Sequence, residues 1–440
     1  MSSRSRAPRR PAARTARRES RPIEYSILYT ATLCMLALGA VMVYSASSAE
    51  SLLDGSGDPS TYLKRYVAFG LAGLGVMLLA ARHGLAVVRQ LTPLLLGASF
   101  FLTIAVMLPG VGVTINGATR WLAAGPLQFQ PSELLKVSLV LYAAQLLATR
   151  PRCIETLEGI AKPLLIVVGA AFLLLMKQPD MGTTMVICFA IGSLLIVAGT
   201  PMRLIGGLAG GLAALAFVLA IVEPYRMERM TAFLNPFADA GDTGFQAVQG
   251  LTAIGSGGLF GVGLGESVQK IFYLPEAHTD MILAIIGEEL GLVGIAGVAG
   301  LYVMIGYAGL RAAKAARDRY SKLVAAGITS LILCQATLNF FAVLGLAPLT
   351  GVPLPFISYG STNLIVLLAG MGLLLNVAAT GGVAARGARP KHPAVPDSEA
   401  PRSVRLRAID GGGAGEGGDR RRRDSGARRA GAGGRRRTAG

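Results

Sequence analysis

A short acidic stretch at the start of an apolar run holds the residues of this chain best suited to chemistry. Asp280 directly precedes the run and follows His278 by two positions, while Glu288 and Glu289 lie within it. A charged side chain inside a membrane segment costs about 3 kcal/mol or more, so such residues are retained mainly where they have a function. The pattern therefore predicts chemistry at a membrane surface.

These acids allow more than one interpretation. An Asp just before a helical run satisfies free backbone amides as an N-cap. With Glu276 and His278 beside it, on the side of a lipid headgroup, Asp280 could also act as a general base towards a hydroxyl. For Glu288 and Glu289 we favour a buried polar link to a neighbouring helix, the alternative being a proton or ion relay.

A second cluster of chemical groups lies in Asn116–Lys136. Trp121 is the only Trp in the chain and suits an interfacial position. Arg120 beside it carries a guanidinium group that can bind a phosphate through two hydrogen bonds. Glu133 stands in the first turn of a predicted helix, where a carboxylate suits the helix dipole. Lys136, one turn further on, either pairs with Glu133 or contacts an anionic substrate.

The composition indicates that helices crossing a membrane position these residues. Of the 440 residues, 52% are hydrophobic and 15% are charged, which is typical of a polytopic membrane protein rather than a soluble domain. We predict an all-α protein of about ten transmembrane helices. The predicted spans are 26–47, 66–81, 91–109, 133–149, 162–176, 182–199, 204–222, 281–310, 323–346 and 360–384.

The positive charge lies mainly at the two ends of the chain. Residues 1–24 hold eight Arg and two Glu, and residues 385–440 hold fourteen Arg, one Lys and six acids. Both ends are predicted to be disordered basic tails on the cytoplasmic side. A basic turn at 311–322 should lie on the same side, and the long loop 223–280 on the outer side as a partly folded element.

Other function classes fit the sequence poorly. Beside a membrane core, basic tails favour lipid contact and topology over nucleic-acid binding. The three histidines and four cysteines include no CxxC pair, so neither a His/Cys metal cluster nor a disulfide framework is expected.

Six short blocks together resemble the SEDS family, the FtsW/RodA/SpoVE proteins of bacterial cell division, elongation and sporulation. They occur in the family's order, with about its spacing, between roughly residues 25 and 384. The blocks are GATRWL at 117–122, QPSELLK at 130–136, KQPDMGT at 177–183, LPEAHTD at 274–280, GEELGLVG at 287–294 and PLPFISYG at 353–360.

The resemblance implies a ten-span membrane domain over 25–384, the SEDS fold, with both termini in the cytoplasm. It implies a peptidoglycan glycosyltransferase that polymerises lipid II at the outer face of the cytoplasmic membrane. The family's functional Asp, Trp and Lys fall on Asp280, Trp121 and Lys136. The wording of the GATRW and EAHTD…GEELG blocks is closer to the division protein FtsW than to RodA, and the Arg- and Ala-rich usage is typical of actinobacteria. Gly360–Asn363 departs from the family pattern.

The expected mechanism assigns a role to each charged group. Asp280 accepts the proton of the acceptor sugar hydroxyl, with inversion at the anomeric carbon. Arg120, Lys136, Arg226 and Arg229 are candidates to hold the diphosphate leaving group, with Mg²⁺ or Mn²⁺ as an additional bridge. Trp121, Glu133 and His278 complete the predicted substrate-binding set.

Two alternatives and several partners accompany this expectation. A lipid II flippase would need charges on both faces, whereas those seen here collect on the outer side, and a scaffold would only recruit a transpeptidase. The resemblance implies a class B penicillin-binding protein as a partner at the division septum. The basic C-terminal tail is expected to bind other cytoplasmic division proteins electrostatically.

Overall fold

The structure, a computed structural model, describes residues 21–53, 58–115, 117–124, 127–222, 232–271 and 273–387. Most of the two predicted tails lies outside the described residues, as do Arg226 and Arg229.

The described chain is predominantly helical, which confirms the predicted all-α class. A 3₁₀ turn at Pro151–Glu155 and a π-helical turn at Ala161–Leu165 flank the short helix Leu157–Ile160, and a second 3₁₀ turn occupies Pro236–Asp239. The helices are α1 (Ile23–Leu53), α2 (Thr61–Ala105), α3 (Pro131–Thr149), α4 (Leu157–Ile160), α5 (Ile166–Lys177), α6 (Met181–Ala198), α7 (Met202–Val222), α8 (Phe245–Gly257), α9 (Ile282–Ala315), α10 (Arg319–Val343) and α11 (Ser361–Gly387).

The described chain has several candidate membrane crossings, and the exact count of ten stays a prediction. Eight helical segments are long and apolar enough to cross a membrane, with α4 and α5 counted as one. Helix α2 has 45 residues, or about 68 Å, more than twice the hydrocarbon thickness. Gly84 breaks it at φ 76° into two legs, between the two separate spans that the sequence predicted. Helix α7 contributes a shorter apolar segment, Met202–Leu215, which is not among these eight.

One end of the helices carries the basic turn at 311–322. Arg311 lies 3.1 Å from the carboxylate of Glu24 at the start of α1, and Arg317 donates a 3.0 Å hydrogen bond to the carbonyl of Thr380 near the end of α11. Lys and Arg concentrate on the cytoplasmic side of membrane proteins, so this is the inner end. Both described ends of the chain therefore lie on the inner side.

A small antiparallel sheet lies at the opposite, outer end and was not predicted. Strands β1 (Gly112–Ile115), β2 (Ala118–Ala124) and β3 (Leu127–Phe129) pair in chain order. The sequence signal was present, because Asn116-Gly117 between two β-prone runs is typical of a two-residue hairpin. The sheet holds the second chemical cluster at a fixed place above α3.

A kink in α9 changes the interpretation of its two acids. Gly291 adopts φ 69° and ψ −166°, which divides α9 into a short outer leg and a long leg. The long leg has about 24 residues, or about 36 Å, and can cross the hydrocarbon layer alone. Glu288 and Glu289 lie within the candidate span Ile282–Ala315, as expected, but on its short outer leg and before the kink.

The length of α1 gives the level of these acids in the membrane. Glu24 contacts Arg311 at the inner end, and Ser45 donates a 2.6 Å hydrogen bond to Glu289. Twenty-one residues of helix between Glu24 and Ser45 correspond to about 32 Å, close to the hydrocarbon thickness. Glu289 therefore lies near the outer boundary, and Asp280 lies before it in the chain on the outer side.

Candidate active site

Asp280 ends the loop before α9, with its carboxylate beside a narrow cleft. The cap residue of α9 is Met281, so the N-cap interpretation of Asp280 was wrong by one residue. The Thr279 hydroxyl lies 3.3 Å from Oδ1 of Asp280, and Oδ2 would lie 3.7 Å from a Cβ at Gly351. The backbone carbonyl of Asp280 accepts a 2.7 Å hydrogen bond from Nδ2 of Asn339. The carboxylate is partly exposed.

His278 is directed into the protein beside Asp280. Its ring is buried, with Nδ1 3.2 Å from a carboxylate oxygen of Glu50 and its centroid 4.5 Å from that of Tyr62. Its carbonyl accepts a 2.9 Å hydrogen bond from the backbone amide of Tyr359. These contacts hold the Asp280 loop to α1, α2 and the segment before α11, while substrate contact by His278 stays a prediction.

Strand β2 presents Arg120 and Trp121 at the outer end. Nε of Arg120 donates a 3.0 Å hydrogen bond to the carbonyl of Gln178, and another guanidinium nitrogen donates to the carbonyl of Pro179. Arg120 thus joins the sheet to the turn between α5 and α6. Trp121 pairs in register with Val113 of β1 and is partly exposed. Phosphate binding by Arg120 stays a prediction.

Glu133 and Lys136 form a buried ion pair within the first turns of α3. Their charged atoms lie 2.9 Å apart, and the side chains are only 2% and 1% exposed. Nζ of Lys136 also donates a 2.8 Å hydrogen bond to Oε1 of Gln335 on α10. Pairing, the alternative left open for Lys136, is present in the structure, and direct substrate contact by either residue stays a prediction.

Glu288 and Glu289 hold the loop after α8 against the outer leg of α9. Glu288 accepts hydrogen bonds from the hydroxyl of Ser267 and, at 3.0 Å, from the amide of Val268. Glu289 forms a 2.9 Å ion pair with Lys270 in addition to its bond from Ser45. Both side chains are buried.

Several of the sequence blocks that carry the family resemblance meet at this outer end. The hydroxyl of Ser132 in the second block lies 3.3 Å from the carboxylate of Asp180 in the third. The Thr362 hydroxyl accepts a 3.1 Å hydrogen bond from the amide of Gln130, although 360–363 departs from the family pattern. Arg226 and Arg229 lie outside the described residues, so their binding of a diphosphate stays a prediction.

An apolar groove lies beside the Asp280 cleft. Its volume is about 460 Å³, within the range of small-molecule sites. It runs between the segment 232–251 and the outer end of α10, and it shares Ala342 and Leu349 with the cleft that Asp280 lines. A partly exposed carboxylate at the edge of such a groove can accept a proton from a hydroxyl of a bound molecule.

The described residues include no group of three or more His, Cys, Asp or Glu side chains arranged to hold a metal ion. Mg²⁺ is commonly bound by one or two carboxylates together with substrate phosphates. A bridging Mg²⁺ or Mn²⁺ would therefore depend mainly on the phosphates of a substrate, and it stays a prediction.

The sequence analysis missed Gln335 and Asn339 on α10. Both are amides in an apolar run and are four residues apart, so they lie on the same face of the helix. Two amides at this spacing in a membrane helix were a usable signal, because buried polar side chains in a span need partners. Their partners are Lys136, Asp280 and the segment before α11.

Comparison with known proteins places the chain in a family. Residues 25–381 match the family model described as "Cell cycle protein", FtsW/RodA/SpoVE. The chain is 45% identical over 356 residues to the probable peptidoglycan glycosyltransferase FtsW of Thioalkalivibrio sulfidiphilus, covering 80% of this chain and 88% of that protein. It is 39% identical over 355 residues to the stage V sporulation protein E of Bacillus subtilis, covering 80% and 96%.

Solved structures agree with the sequence matches. The crystal structure of the rod shape determining protein RodA of Thermus thermophilus superposes with a TM-score of 0.59 at 30% identity, covering 80% of this chain and 95% of that one. A chain from a study titled "Structural coordination of polymerization and crosslinking by a peptidoglycan synthase complex" gives 0.66 at 31% identity, covering 80% and 97%. This chain therefore belongs to the FtsW/RodA/SpoVE family of cell cycle proteins.

Proposed function

We propose that this multi-pass membrane protein is a peptidoglycan glycosyltransferase that polymerises lipid II at the outer face of the cytoplasmic membrane. The observation that carries the proposal is the position of Asp280. Its partly exposed carboxylate lies at the outer end of the helices, opposite the basic turn and beside an apolar groove. A lipid-linked sugar can keep its hydrocarbon chain in the bilayer and present its sugars at that level.

The reaction forms one glycosidic bond, breaks the bond to the diphosphate and transfers one proton. The acceptor sugar hydroxyl attacks the anomeric carbon of the growing strand, and its proton passes to the carboxylate of Asp280. The bond from that carbon to the polyprenyl diphosphate breaks, and the diphosphate leaves with both bonding electrons. Attack opposite the leaving group inverts the anomeric centre. Positive charge stabilises the leaving diphosphate, and Arg120, Arg226 and Arg229 are the proposed source.

The proposed partner is a class B penicillin-binding protein at the division septum. The support is the family, together with the matched chain from a study of a peptidoglycan synthase complex that coordinates polymerization and crosslinking. The relatives named FtsW support the division role over elongation. Binding of other division proteins by the basic C-terminal tail rests on its charge and should weaken with added salt.

A reconstituted assay separates this function from a flippase or a scaffold. The full-length protein is placed in liposomes with its cognate transpeptidase and fluorescent lipid II, and both glycan strands and lipid II translocation are measured. We expect strands of many disaccharides that are digestible by a muramidase. Translocation of lipid II without glycan strands would support a flippase. If neither strands nor translocation were observed, recruitment of the transpeptidase would remain as the function. Either result contradicts the proposal.

A further inference from the structure

Two buried amides on α10 link the sequence blocks that surround Asp280. Asn339 and Gln335 are 2% and 0% exposed and lie one helical turn apart. Nδ2 of Asn339 donates to the carbonyl of Asp280 at 2.7 Å and to the carbonyl of Val352 at 2.8 Å. Nε2 of Gln335 donates to the carbonyl of Pro353 at 2.9 Å.

These bonds also fix the orientation of each amide group. A backbone carbonyl can only accept a hydrogen bond, so the nitrogen of each amide must face the carbonyls. Oε1 of Gln335 is then placed to accept the 2.8 Å bond from the ammonium of Lys136. The two amides thus connect the buried Glu133–Lys136 pair on α3 to the main chain of Asp280, through the neighbouring carbonyls of Val352 and Pro353.

The cleft beside Asp280 contains part of the same arrangement. Asn339 lines it together with Asp280, Thr350 and Gly351. Because its nitrogen is committed to two carbonyls, Oδ1 of Asn339 is fixed as an acceptor, and it finds no partner among the described residues. A buried polar atom without a partner lowers the stability of the protein, so an apolar side chain at this position would pack at a lower cost.

We propose that Asn339 and Gln335 are positioning residues for the reaction: they fix the Asp280 main chain against the segment at 352–353 and join it to Lys136. This rests on the proposed function of Asp280 as general base. Lys136 then acts on Asp280 through Gln335, since its ammonium is buried and paired with Glu133 and Gln335. A displacement of about 1 Å in a catalytic group lowers rates by roughly a hundredfold, so such a link controls turnover more than substrate binding.

Matched variants test the inference in the full-length protein. Asn339→Ala removes both donated bonds, Asn339→Asp removes the donors at constant size, and Gln335→Ala removes the link to Lys136. The control is Asn376→Ala, because Nδ2 of Asn376 donates a 2.8 Å bond to the carbonyl of Ala81 near the kink of α2, one helical turn from Thr380 at the inner end.

Kinetics of lipid II polymerisation provide the first readout. Asn339→Ala, Asn339→Asp and Gln335→Ala should each lower kcat by roughly tenfold or more, with KM changed by less than about twofold. Asn376→Ala should keep kcat within about twofold, and thermal unfolding in detergent gives the folded fraction by which each kcat is corrected. Unchanged kcat in the Asn339 variants, or losses that only follow the folded fraction, would overturn the inference.

Chemical labelling provides a second readout that does not depend on the reaction. In a background with the four native cysteines replaced by Ala, Asp280→Cys is treated with a small thiol reagent. Adding Asn339→Ala should raise the labelling rate by roughly fivefold or more, because the loop opens locally, and adding Asn376→Ala should not. Equal rates would contradict positioning. If the parent protein made no glycan, the proposed function would fail while the labelling still decided the structural claim.

Discussion

Glu289 and Lys270 illustrate at the scale of single residues how the outer end holds buried charge. The pair is 2.9 Å apart, and Glu289 also accepts the hydrogen bond from Ser45, so its charge is paired and hydrogen-bonded. Removing one partner of a buried ion pair leaves an uncompensated charge, which is far more costly than losing an exposed pair. This pair joins the loop after α8 to α1 and α9.

Lys270→Met should lower the free energy of unfolding by about 3–5 kcal/mol because Glu289 loses its counter-charge in a buried position. The matched control is Lys64→Met, which removes an exposed pair with Asp58 and should cost at most about 1 kcal/mol. Thermal unfolding of both variants in the same detergent measures the difference. Equal shifts would show that burial does not strengthen the Lys270–Glu289 contact.

At the scale of whole helices, two glycine kinks shape the fold, and the sequence did not predict either of them. The apolar runs predicted the crossings well because lipid imposes length and hydropathy on each one. The runs could not reveal that Gly84 joins two apolar legs in one helix, or that Gly291 divides α9 and leaves two acids on its short outer leg. Both features depend on a single positive φ, which leaves no periodic pattern in the sequence.

Gly291→Ala should destabilise the protein by at least about 1–2 kcal/mol, because Ala at φ 69° is strained. The added Cβ would also clash with the amide nitrogen of Gly261. Gly297→Ala is the matched change on the same helix, where a Cβ meets no atom within 4 Å, and it should be neutral or slightly stabilising. The contrast is read from thermal unfolding, and equal behaviour of the two variants would refute the kink as a required feature.

The sequence predicts those candidate site residues whose role follows from their type and their neighbours in the chain. A carboxylate before an apolar run identifies Asp280, and a salt-bridge spacing identifies Glu133 and Lys136. The roles of Asn339 and Gln335 depend on which carbonyls face α10, and that follows only from the tertiary fold. His278 illustrates the converse, since its ring packs into the protein although its position in the chain adjoins the cleft.

Orientation in the membrane is the property of the whole molecule on which the function depends. The basic turn at 311–322 and the Asp280 loop lie at opposite ends of the helices. In cells expressing single-cysteine variants in a cysteine-free background, Thr243→Cys should react with a membrane-impermeant maleimide added outside. Lys314→Cys should react only after the membrane is permeabilised, because Lys and Arg stay on the cytoplasmic side. The reverse pattern would place Asp280 in the cytoplasm and exclude the proposed reaction.

Polymerisation of lipid II by Asp280→Asn, in the presence of the cognate transpeptidase, tests the central claim most directly. The amide keeps the size of the side chain but cannot accept the proton, so the rate should fall by about 10²–10⁴-fold while the protein remains folded and inserted. Asp242→Asn, an exposed acid on the same side, should leave the rate unchanged. Full polymerisation by Asp280→Asn would contradict the assignment of Asp280 as the general base.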